Sequence, residues 1–161
     1  MSRRRKIIIS IAGILVIGFF LLQVMPIGMI RPNFERKPDP KTTTTVEWNS
    51  PEVHNLVRRA CFDCHSNETT YPWYSQVAPV SWLVNRDVNQ GRGAMNFSQD
   101  AATDYDIKDL EWHLYNDMPP RIYLVMHPDA KLTDEERAIL LEGFKATFTE
   151  ASTEGMDMSS G

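Results

Sequence analysis

The sequence predicts an all-α domain with long loops, preceded by one N-terminal transmembrane helix. Three observations carry this reading. The chain opens on an uncharged run, Ile7 to Ile30. Several later segments place apolar residues at helical spacing behind capping residues. What lies between them is rich in proline, glycine and short polar residues, as turns and loops are.

At 161 residues the chain is long enough for one compact domain with an appendage. Its 42% hydrophobic and 24% charged residues are ordinary for a folded protein, which excludes wholesale disorder. The net charge of −4 hides an asymmetry, since four of the 17 basic residues sit in Arg3–Lys6 and every acidic residue lies at Glu35 or later. Without that basic tip the balance is 13 positive against 21 negative. Nucleic-acid binding needs a basic footprint and is set aside.

As a helix, "IIISIAGILVIGFFLLQVMPIGMI" would reach roughly 36 Å at 1.5 Å per residue, enough to cross the hydrocarbon core. No small-residue cleavage site of the Ala-x-Ala kind follows it, so it is read as an uncleaved anchor rather than a signal peptide. The basic tip before it stays cytoplasmic, which places the rest of the chain in the periplasm or otherwise outside the cytoplasmic membrane. Residues 1–30 are therefore taken as the cytoplasmic tip and anchor, and residues 31–49, with three prolines and four consecutive threonines, as an extended linker. Residues 50–150 form the folded domain, and the polar residues 151–161 a flexible tail.

Within that domain Ser50-Pro51-Glu52 starts a helix: cap, proline in the first turn, carboxylate at the positive end. Val53, Leu56, Val57 and Ala60 fall on one stripe, and the helix runs straight into Cys61. A second helix spans "VSWLVNRDVNQGR" and is expected to stop at Gly91; "GAMNFSQDAATDYD" reads as loop. Ile107, Leu110 and Leu114 space a third helix, ending before Met118-Pro119-Pro120. "RIYLVMHPDAK" reads as irregular or extended. Thr133 and Glu136 frame a capping box that opens a last helix carrying Leu141, Phe144 and Phe148.

The chemistry sits in Cys61-Phe62-Asp63-Cys64-His65, which holds both cysteines of the chain. Chance would produce such a pair with histidine following in roughly one of three thousand random placements. A structural zinc site needs four ligands, and His54, His113 and His127 do not make a matching pair. A thioredoxin-like dithiol needs a strand before it, which is absent from the pattern here. Covalent haem c fits instead. Two thiols two residues apart can form thioethers with the vinyl groups of one porphyrin, and His65 then supplies the fifth ligand to iron. One motif means one haem.

The rest of the domain resembles a family of bacterial haem-binding domains, small membrane-anchored monohaem cytochromes c. The resemblance runs from about Val46 to Phe148 on "CFDCHSNET", "PWYS", "APVSW", "GR", "NFS", "MPP" and "YLVMHPDAKLT", in that order. It implies a cytochrome c-like fold with helices packed round the haem, and an electron carrier rather than an enzyme. The family's usual tryptophan in the last helix is replaced by Gly143-Phe144.

A thioether sulfur suits haem iron, and Met118 in "DMPP" resembles a Met-Pro ligand loop. Met118 is ranked first as sixth ligand, His127 next and Met126 third, with Met95 read as a loop residue. Tyr74, Trp82, Tyr71, Trp73 and Phe97 are candidates to wall the haem, and Arg92 to pair with a propionate. His54 and His113 are read as lying away from the iron. The reading is thus a membrane-anchored carrier of single electrons, serving redox partner proteins or a respiratory or photosynthetic complex. The alternative is a haem-based sensor or gas-binding protein; a peroxidase-type enzyme lacks an identifiable distal histidine–arginine pair.

Overall fold

The computed structural model describes residues 2–41, 46–99 and 105–157, the stretch 149–157 by backbone only. The four threonines of the linker and residues 100–104 of the expected loop lie outside them. Among the described residues the chain is all-helical, with no strand. It divides into two compact units, residues 1–38 with 70–90, and residues 39–69 with 91–161.

The first unit begins with α1, Arg3–Gln23, capped by Ser2. Its mean hydropathy is 2.3 and none of its side chains is buried, so it is long and apolar enough to cross a membrane; a signal sequence passes the same test. The side-chain amide of Gln23, the last helical residue, then grips the backbone of Ala78 at two points. Its Nε2 donates to the carbonyl (3.1 Å) and its Oε1 accepts from the N–H (2.9 Å).

Residues 31–38 are not a free tether. After the one-turn helix α2, Ile27–Ile30, a 3₁₀ turn at Pro32–Phe34 follows. Amides further along the chain hold this turn. Asn85 donates to the Phe34 carbonyl (3.2 Å), Asn89 to those of Asn33 (2.9 Å) and Glu35 (2.8 Å), and the Arg36 guanidinium lies 3.7 Å over the Tyr71 ring. Prolines and polar residues suggested an extended linker because these partners lie some 50 positions away.

In the second unit, α3 (Pro51–Ala60) starts on Ser50, whose hydroxyl accepts from Val53 N–H, and buries Val53, Leu56, Val57 and Ala60 as the spacing predicts. It leads into α4, Phe62–His65. α5, Val80–Ala94, begins in the first unit; its last turn, from Gly91, belongs to the second. It does not stop at Gly91. That glycine is buried, and a Cβ there would come within 3 Å of the Cys64 main chain and Cβ, so the residue serves a close approach rather than a helix end.

α6, Ile107–Asn116, is capped by Asp106. The segment read as irregular instead forms α7, Arg121–Met126, and a 3₁₀ turn at Pro128–Ala130. Pro120 is its N-cap, and six residues are too few to show a period. α8, Asp134–Asp157, opens on the expected capping box: Thr133 N–H donates to Glu136 Oε2 (2.8 Å), and Glu136 N–H to Thr133 Oγ1 (3.1 Å). Its backbone stays helical past Glu150, where fraying was expected.

The core of this unit joins α3, α6 and α8 through Val53, Leu56, Val57, Leu114, Leu140, Leu141 and Phe144. Val46, at the end of the expected linker, is buried here, and Trp48 packs against Phe97, Phe144 and Phe148 at 5.1–6.1 Å between ring centroids. Gly143 lets α8 approach α3, since a Cβ there would lie 2.5 and 2.7 Å from the two Val53 methyls. Gly143→Ala is therefore expected to destabilise the domain by about 1–3 kcal/mol, the usual range for overpacking, and Gly143→Ala with Val53→Ala to recover part of that loss in a urea titration.

Candidate functional site

Cys61 ends α3 and starts the next turn: the Cys64 and His65 N–H groups both donate to its carbonyl, at 3.1 and 2.9 Å. That turn presents Cys61 and His65 to one cavity, also bordered by Met95, Phe97, His113 and Met118. Leu110 and Leu114 of α6 and Phe144 of α8 complete an apolar floor. The two cysteines are not joined in a disulfide. Burial, and then the neighbouring Cys64, push the Cys61 pKa up to about 12. A catalytic dithiol lowers a cysteine pKa to make a thiolate; here the opposite holds. Nor, among the described residues, do three or more His, Cys, Asp or Glu side chains converge as a metal cluster would require.

His65 is set by its surroundings. Its Nδ1 lies 3.1 Å from the Met95 carbonyl, and a carbonyl only accepts, so Nδ1 carries the proton and Nε2 keeps its lone pair. Burial lowers the pKa of the ring against the pull of the Met95 and Gly91 carbonyls, which favours the neutral imidazole that a metal needs. The His65 carbonyl in turn accepts from Phe97 N–H (2.9 Å), so the Met95–Phe97 strap and the histidine hold each other.

Met118 is held by its own backbone at both ends. Its N–H donates to the His113 carbonyl (2.9 Å), and its carbonyl accepts from Arg137 Nη1 of α8 (2.9 Å). The same cavity therefore gathers a thiol, an imidazole with a free nitrogen, and a thioether on a fixed loop.

A model of the haem-binding domain matches residues 17–146. The chain belongs to this haem-binding domain family. Among curated proteins it is similar to the cytochrome c peroxidase Ccp of Escherichia coli (strain K12), 27% identical over 107 residues, which is 61% of this chain and 23% of the relative. The chain thus spans about a quarter of the curated relative it matches. No solved structure matches.

The residues present fit a haem: a largely apolar cavity, with Asp106 and Asp109 in its lining, a neutral imidazole aimed by its second nitrogen, and, among the described residues, no competing cluster of three or more His, Cys, Asp or Glu. Of the residues singled out from sequence, Cys61, His65, Met118 and Phe97 border this cavity. Cys64 does not; it faces Gly91. His127 and Met126 are absent from the lining. His127 stacks on Tyr123 at 4.0 Å, with Nδ1 on the Tyr123 carbonyl, and Met126 is 56% exposed. Tyr74 and Trp82 belong to the first unit, where Tyr74 meets Trp73 edge-on.

Arg92, expected to pair with a propionate, has protein partners of its own. Its side chain is only 10% exposed and bridges Asp39, Thr69 Oγ1 (2.8 Å) and the Ser66 carbonyl (2.8 Å), while Thr69 Oγ1 donates to the Asp63 carbonyl (2.7 Å). With Gly91 packed on Cys64, the pair Gly91-Arg92 forms a cradle under the Cys61–His65 turn. Met95, read from sequence only as a loop residue, and His113, read as lying away from the iron, also border the cavity. Met95 acts through a main-chain carbonyl, which no side-chain pattern reveals. His113 had a signal, since it lies one turn before Met118 and beside Leu114, which shares the apolar face of α6.

Proposed function

We propose that the protein is a membrane-anchored monohaem cytochrome c, carrying single electrons at the outer face of the cytoplasmic membrane and acting as a carrier rather than an enzyme. The observation that carries this is the convergence of Cys61, a tautomer-fixed His65 and Met118 on one apolar cavity. When bound, the haem supplies one-electron chemistry through its iron. Cys61 and Cys64 would hold it by thioethers, His65 Nε2 and Met118 Sδ would ligate the iron, and Phe97, Leu110 and Phe144 would keep water from it. The cavity measures about 230 Å³. An edge of the bound haem left at its mouth would be where a redox partner reaches it. α1 would tether the domain beside membrane-bound donors and acceptors.

Replacing Cys61 and Cys64 together by alanine is expected to abolish haem staining on a denaturing gel. Staining that survives removes covalent attachment from the reading. The sensor alternative is separated by carbon monoxide: if His65 and Met118 both hold the iron, the reduced wild-type protein should bind it slowly or not at all at neutral pH, and rapid binding would favour the sensor.

A further inference from the structure

A second pocket, of about 320 Å³, lies in the first unit, on the residues that follow α1. Its walls come from residues 25–29 and 34–36 and from Ser81, Trp82 and Asn85 of α5. Asn85 is only 8% exposed, and its Oδ1 is buried with no hydrogen-bond partner. The amide orientation is fixed, because its nitrogen must face the Phe34 carbonyl, which can only accept. The Glu35 side chain folds back over Gly28, whose missing Cβ would fall 2.6 Å from Glu35 Oε2, and among the described residues it makes no ion pair or hydrogen bond. The pocket thus offers one buried acceptor without a donor, the exposed carboxylate of Glu35, and the cation of Arg36 at its edge.

Its surroundings are apolar and aromatic. Met29 and Ile30 are 86% and 69% exposed, Trp73 is 77% exposed, and Trp82 is itself a wall of the pocket. The Gln23–Ala78 clamp ties the Tyr71–Pro79 loop to the end of α1. Tryptophans and exposed apolar residues just past a spanning helix are what a bilayer interface selects.

We propose that this pocket binds the head group of a phospholipid bearing a primary amine. The ammonium supplies the donor that Asn85 Oδ1 lacks and a counter-charge to the Glu35 carboxylate, and Arg36 faces the phosphate. Choline has the same charge but no N–H, so it cannot satisfy Asn85. A buried acceptor left without a donor costs about 1–3 kcal/mol, and 1.4 kcal/mol is a factor of ten.

This rests on reading α1 as a membrane anchor. Carbonate extraction of membranes tests that separately: release of the protein overturns the anchor and this site with it. For the site, the full-length haem-loaded protein is placed in mixed micelles of phosphatidylethanolamine, phosphatidylcholine and phosphatidylglycerol, and retained lipid is counted by native mass spectrometry. The expected result is one phosphatidylethanolamine retained about tenfold over phosphatidylcholine, the ratio a single unmet donor implies. Asn85→Leu should bring the ratio near one. Because Asn85 also holds Phe34, Glu35→Gln, which leaves that bond intact, serves as the second variant and should lower the ratio at least severalfold. Equal retention of ethanolamine and choline lipids by a protein that stays in carbonate-washed membranes overturns the site. Retention of phosphatidylglycerol equal to phosphatidylethanolamine does the same, since it would show recognition of the phosphate alone. An unchanged ratio in both variants likewise moves recognition away from these residues.

Discussion

If the proposed cytochrome c reading holds, Met118→Ala is expected to leave haem on the protein while changing what its iron binds. Loss of the weak long-wavelength band of iron–methionine bonding, a lower reduction potential and rapid carbon monoxide binding should appear together, because a thioether both fills the site and favours the reduced state. The backbone geometry makes the expectation specific. Met118 is pinned between the His113 carbonyl and the Arg137 guanidinium, and it borders the cavity that holds His65. Met126 is exposed and His127 is stacked on Tyr123, and neither borders that cavity. Met126→Ala and His127→Ala should therefore leave spectrum and potential nearly unchanged. If His127→Ala erases the sixth-ligand signature and Met118→Ala does not, the ligand assignment fails. Arg137→Ala gives an intermediate test. It frees one end of the loop without touching the sulfur, so the band should weaken or broaden, with a loss of stability of about 1.5–3 kcal/mol, the range for a hydrogen bond to a charged group.

What the sequence revealed about this molecule was what is local in it. The Cys61–His65 motif, the stripe of α3 and the Thr133–Glu136 capping box each close within a few residues, so their chemistry can be read without knowing where the chain goes next. The readings that changed all depended on distant partners. Gly91 resembles a helix stop until Cys64 is set against it. Arg92 resembles a propionate partner until Ser66 takes its Nε and Thr69 and Asp39 its Nη2. Residues 31–38 resemble a tether until Asn85 and Asn89 take up their carbonyls. α7 was missed because a six-residue helix after two prolines buries too little to impose a period. In the site, the side-chain donors could be proposed from their chemistry, whereas the carbonyl of Met95, which sets the tautomer of His65, has no signature in any side chain.

The second large effect is expected from a single methyl group. Gly91→Ala adds a Cβ within 3 Å of the carbonyl carbon and the Cβ of Cys64, and the same cradle carries the turn that presents Cys61 and His65. At Gly143 the obstacle is a valine side chain, which can yield. At Gly91 it includes main chain, already committed to the Cys61 carbonyl through Cys64 N–H and His65 N–H. The cost should accordingly sit at or above the upper end of the ~1–3 kcal/mol overpacking range. For a domain of about 100 residues each kcal/mol lowers Tm by roughly 4–8 °C, so a fall of ten degrees or more is expected in the haem-loaded protein. A general loss of packing would lower Tm alone. Displacement of this turn should also move the His65 ring off the Met95 carbonyl, so the reduction potential should shift with Tm in Gly91→Ala but hold in Gly143→Ala. Equal potentials in the two variants, at equal loss of Tm, would mean that Gly91 only packs the helix and that the cradle does not set His65.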